Sequence, residues 1–149
     1  MSVATALPEP PRRPARWRQP PARLAIALAW ALAKLPPRRI RSLMETTRKG
    51  ARPATYAEAE AARNQIVALS VACAGEGCLQ RSLATALLCR MHGTWPTWRT
   101  GVRTQPFTAH AWVEADNRPV AEPETTAHYR PVITVTPAQR QPHHRQPPR

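Results

Sequence analysis

Apolar positions change their spacing once, near residue 94, dividing a helical half of the chain from a strand half. From Ala22 to Leu35, Leu24, Leu28, Leu32 and Leu35 recur at helical spacing with Trp30 beside them, and Pro36-Pro37 stops the run. A short helix is predicted from Arg38 to Lys49, ended by Gly50. Thr55 and Glu58 have capping-box spacing and open a helix from Tyr56 to about Cys73, with Ile66, Leu69 and Cys73 on one side. Ala74-Gly75-Glu76-Gly77 breaks it before the next helix, which starts at Cys78 and ends at Gly93. In that helix Leu79, Leu83, Ala84, Ala86, Leu87, Leu88 and Met91 fill a broad apolar arc, and Cys78, Ser82, Thr85 and Cys89 form a narrow stripe of small side chains. A helix apolar over more than half its circumference belongs at the centre of a domain.

Beyond Thr94 the period shortens. Trp98 to Arg103 reads as a strand in which Gly101 implies close backbone approach. Thr108 to Glu114 is a second strand, Asp116-Asn117 a turn and Arg118 to Glu122 a third strand. Residues 129–136 form a fourth, placed at an edge by Pro131. The pattern divides the chain into a Pro/Arg-rich tail (1–21), a basic helical region (22–53), an α+β core (54–136) and a second tail (137–149) holding His143-His144, read as solvated.

Charge looks at first like a nucleic-acid signal, because the net value is +13. Residues 1–53 hold 12 basic and 2 acidic side chains, residues 130–149 hold 4 basic and none acidic, and residues 54–129 hold 6 basic and 7 acidic. The near-neutral middle and the lack of a nucleic-acid motif argue against a specific nucleic-acid function, although a basic binding module is the alternative reading. No apolar run reaches the roughly 20 residues of a membrane span, and residues 1–21 lack the order of a secretion signal. With 3 cysteines, one at least is unpaired, so the expected compartment is the cytoplasm.

Chemistry concentrates at Cys78. The N–H groups of a helix start are unpaired and carry partial positive charge, which favours a thiolate over a thiol. A nucleophilic cysteine needs a base, and the base an orienting partner. His110 shares a strand face with Trp112 and Glu114. A three-residue loop Ala115-Asp116-Asn117, with Asn117 left-handed, sets Glu114 opposite Arg118, Trp112 opposite Val120 and His110 opposite Glu122. A one-residue slip would turn Glu122 to the wrong face. The bland alternatives are a buried structural Cys78 and a structural strand histidine. Zinc through Cys73, Cys78, Cys89 and His92 is disfavoured, because Cys78 and Cys89 stand about 16 Å apart along a helix. No metal and no cofactor is expected.

Taken together, Cys78-Leu-Gln-Arg81-Ser82-Leu-Ala-Thr-Ala-Leu-Leu, Gly101-Val102, Pro106-Phe107, Ala109-His110-Ala-Trp112-Val-Glu114, Arg118-Pro119-Val120 and Glu122 resemble the lasso-peptide leader peptidases. These are the stand-alone protease half of the split maturation protein B, within the transglutaminase-like branch of papain-type cysteine proteases. The resemblance spans roughly residues 65–123. It implies an α+β, papain/transglutaminase-like fold with a Cys-bearing helix on a small antiparallel sheet. It also implies a cysteine peptidase acting through Cys78, His110 and Glu122 on a ribosomally made precursor peptide, freeing its core for a separate cyclase. Partners implied are the precursor's leader, a leader-binding recognition-element protein and the lasso cyclase. The Cys78 N–H is the expected oxyanion donor, and Trp98, Phe107 and Trp112 are cleft candidates that could equally be core. A catalytically inactive scaffold of the same fold is a further alternative.

Overall fold

The computed structural model describes residues 15–138. Of the predicted tails, residues 1–14 and 139–149, with His143-His144, lie outside the described residues, whereas residues 16–21, expected in the first tail, are helical and run into the first helix. A 3-10 turn at Arg16–Arg18 leads into α1 (Gln19–Ala33), followed by α2 (Pro37–Thr47), β1 (Arg52–Pro53), α3 (Tyr56–Leu69), α4 (Val71–Ala74) and α5 (Cys78–Met91). The strand half comprises β2 (Thr94–Trp95), β3 (Thr97–Thr104), β4 (Phe107–Ala115), β5 (Arg118–Pro119), a 3-10 turn at Glu124–His128 and β6 (Arg130–Val135). Four strands form an antiparallel sheet in the order β5-β4-β3-β6, so the strand bearing Pro131 lies at an edge. β1 and β2 make a separate short parallel pair.

α5 is the centre of the molecule. Every residue from Arg81 to Cys89 is buried, and Leu83 and Leu88 are fully so. Burying one such leucine contributes roughly 1.5–3 kcal/mol. Trp98 of β3 reaches across the core and donates its indole N–H to Ser82 Oγ at 3.0 Å, so the stripe of small residues on α5 receives the sheet. Met91, expected in the apolar arc, is exposed at the last turn.

α1 corrects its predicted face. Its buried side is Ala22, Ala25 and Ala29, whereas Leu24 and Leu28 are 54% and 42% exposed. Small side chains let α1 lie close against neighbouring helices, which turns the larger leucines outward. The Thr55–Glu58 capping box forms in full and starts α3. That helix stops at Leu69 rather than Cys73, because Ser70 leaves helical geometry and its hydroxyl caps α4 by accepting from Cys73 N–H.

The turn after β4 differs from expectation. Its loop has two residues, Asp116 and Asn117, both left-handed (φ 51° and 60°). Ala115 therefore pairs with Arg118 and Glu114 with Pro119, one residue out of the predicted register. β5 ends at Pro119 rather than at Glu122.

Gly101 matches its predicted role. A Cβ there would lie 2.8 Å from Arg130 O and 2.9 Å from Trp112 Cη2. Gly101→Ala should therefore destabilise the fold by roughly 1–3 kcal/mol through overpacking. Thermal denaturation should show a melting temperature lower by several degrees; an unchanged value would mean that the sheet relaxes freely at this point.

Candidate active site

Cys78 is the first residue of α5, delivered by a tight loop. Gly77 takes φ −73° and ψ 53°, an inverse γ-turn, and Cys78 N–H donates to Glu76 O at 2.8 Å. A Cβ at Gly77 would meet Ala72 O at 2.6 Å, so only glycine fits this approach. The turn also changes one expectation: the Cys78 N–H, assigned above as an oxyanion donor, is committed to Glu76 O in this arrangement.

The sulfur faces β4. Cys78, His110 and Ala111 line one cleft, where the imidazole and the Ala111 backbone N–H both act on the sulfur. His110 Nε2 lies 2.8 Å from Glu122 Oε2, which leaves Nδ1 as the nitrogen for Cys78. The three residues predicted to converge are thus in one cluster, but the route differs. In the observed register a continued strand would carry Glu122 opposite Ala111. Instead Ala121 turns left-handed (φ 49°), and this corner returns Glu122 to His110. Tyr56 holds the corner: its hydroxyl accepts from Ala121 N–H at 3.1 Å, and its own N–H donates to Asp116 Oδ2 at 2.8 Å.

Two cations stand behind the acid. Glu122, with a side chain only 4% exposed, has Oε1 at 3.7 Å from Arg63 and 3.9 Å from Arg81. Trp112 lies nearly parallel to the imidazole at 5.8 Å between centroids, and the Tyr129 ring lies at 5.3 Å. Trp112 also donates to Glu114 Oε1 at 2.9 Å, so it sets the imidazole plane and does not line the cleft. Phe107 is 74% exposed and lies apart from the cleft at the start of β4. Trp98 is the one predicted aromatic that lines it.

The cleft itself opens beside Cys78 and His110. It measures about 290 Å³, and Leu79, Val102, Ala109, Ile133 and Ile40 give it an apolar wall. Tyr56, Arg63, Arg81 and Tyr129 went unassigned in the sequence. Arg81 alone carried a local signal, as a charged residue inside a run of small and apolar ones.

The hydrogen bond with His110 holds the Cys78 thiol below its ordinary 9.0, helped by the Ala111 N–H and the Arg81 charge against the opposing effect of burial. His110 is held up to about 9, first by its bond to Cys78 and then by Glu122. Thiolate and imidazolium thus favour each other. By contrast, burial pushes Cys89 up to about 12. Cys73 and Cys89 are both buried. Brief treatment with iodoacetamide near neutral pH should therefore give one adduct, at Cys78. Peptide mapping that finds equal labelling of Cys73 or Cys89 would contradict this environment.

Among the described residues, no group of three or more His, Cys, Asp or Glu is placed to hold a metal ion. No helix among them is long and apolar enough to cross a membrane.

An α+β fold with a cysteine at the start of its central helix, facing a histidine and a carboxylate on the sheet side, defines a papain-like class. The sequence profile of the transglutaminase-like superfamily matches residues 22–134, and the chain belongs to that superfamily. No curated protein and no solved structure matches the chain.

Proposed function

We propose that this protein is a cysteine peptidase that removes the leader from a ribosomally made lasso-peptide precursor. The observation that carries the reading is the convergence of Cys78, His110 and Glu122 at one wall of an apolar cleft. The ordered motifs around these residues support the finer substrate class. The same superfamily also includes acyltransferases, so hydrolysis is part of the proposal.

The Cys78 thiolate attacks the carbonyl of the leader's last residue. The tetrahedral intermediate collapses as His110 passes its proton to the leaving amine, the N-terminus of the core. A thioester joins the leader to Cys78. Water then loses a proton to His110 and attacks the thioester, and the thiolate leaves as the leader's carboxylate forms. Glu122 orients the imidazole and balances its positive charge. The apolar cleft takes a side chain of the substrate near the scissile bond. A leader-binding recognition-element protein presents the precursor, and the freed amine passes to an ATP-using cyclase.

The test is mass spectrometry of a lasso precursor incubated with the protein, with and without the recognition-element protein. The expected products are leader and core, their masses summing to the precursor plus one water. An intact precursor under both conditions, with the partner bound and Cys78 reactive, would refute the substrate assignment. Transfer of the leader to an added amine would instead favour acyl transfer.

A further inference from the structure

Arg81 contacts both the segment that delivers Cys78 and the carboxylate behind His110. It sits in the first turn of α5, is 8% exposed, and makes contacts in two directions. Its Nη1 donates to Cys73 O at 3.0 Å and to Gly75 O at 3.1 Å, both on the segment that ends in the Cys78 turn. Its Nη2 lies 3.9 Å from Glu122 Oε1. Arg63, on α3, faces the same carboxylate oxygen at 3.7 Å.

We propose that Arg81 is a positioning residue: one planar guanidinium fixes the loop that delivers Cys78 and the carboxylate behind His110 relative to each other. A guanidinium suits this task because its donors lie in one rigid fork, whereas an ammonium is a single point on a flexible stem. The two carbonyls fix the height of the 73–75 segment, and so the entry of the chain into α5. The opposite side of the fork faces Glu122 and opposes its drift from His110. Arg81 charge also favours the Cys78 thiolate. The proposal rests on the peptidase reading of the site, but its test does not need a substrate.

The test is the pH dependence of iodoacetamide alkylation of Cys78 in Arg81→Gln, Arg81→Lys and Arg63→Gln. Arg81→Gln should alkylate about tenfold more slowly at pH 7, with its onset moved toward more alkaline pH. Arg81→Lys keeps the charge but not the fork, and should recover part of that rate. Arg63→Gln removes a cation from the same carboxylate but not from the Cys78 loop, and should slow alkylation less than Arg81→Gln does; equal slowing by the two would assign the effect to the charge behind Glu122 and overturns the proposal. A purely structural arginine would give a different pattern, namely a lower melting temperature with an unchanged alkylation profile, and that result overturns the proposal. Should Arg81→Gln fail to fold, a profile of Arg81→Lys identical to the parent overturns it equally. An unreactive Cys78 in the parent protein would count against the peptidase reading itself.

Discussion

Cys78→Ala should abolish precursor cleavage, lowering the rate by at least about 10³-fold, while leaving the fold in place. The size follows from chemistry: the other two cysteines, Cys73 and Cys89, are buried and do not replace the lost thiolate. The tolerance follows from position. Cys78 is the first residue of α5 and only half-buried, and alanine suits a helix. A melting curve close to that of the parent, together with retained binding of the recognition-element protein carrying a leader, separates lost chemistry from lost structure. Full cleavage by the variant would remove Cys78 from the mechanism.

Glu122→Gln should be the second largest effect, a fall of roughly 10²–10⁴-fold in kcat. Glutamine is nearly isosteric and can keep a contact with His110 Nε2. It cannot balance the positive charge on the imidazole. It also leaves Arg63 and Arg81 facing a neutral amide in a pocket where the acid was 4% exposed. Because the Glu122 side chain is buried behind the imidazole, KM should change little. A variant that cleaves at the parent rate would reduce Glu122 to a structural role.

Both predictions depend on a corner that the sequence hides. The Cys78 helix was legible because Gly75-Glu76-Gly77 breaks the chain where an apolar run begins. His110 was legible because strand alternation puts it on one face with Trp112 and Glu114. Glu122 was matched to His110 through a register that does not form. Asp116 and Asn117 both adopt positive φ, which makes a two-residue turn and slips the pairing by one. The slip is undone at Ala121, whose left-handed conformation no glycine or asparagine announces. Tyr56 holds that corner from a helix 65 positions away in sequence, a tertiary contact that no local pattern encodes. The outward leucines of α1 were missed for a related reason: spacing identifies an apolar stripe but not whether alanines on the other side pack better.

The coupled titration of Cys78 and His110 is the feature on which the chemistry turns. His110 is raised from 6.5 to about 9, so its positive charge is fully present below 6.5 and is lost as pH rises through about 9. Cys78 is lowered from 9.0, so its thiolate is present above that lowered value. The ion pair exists between the two limits, and cleavage should follow a bell with its alkaline limb near 9.

The most direct measurement is the alkylation rate of Cys78 against pH, compared between the parent protein and His110→Ala. Convergence of sulfur and imidazole predicts that the parent reacts well below pH 9, and that His110→Ala moves the onset up toward the ordinary thiol value of 9.0. Superimposable curves for the two proteins, both rising only at the ordinary thiol value, would contradict it.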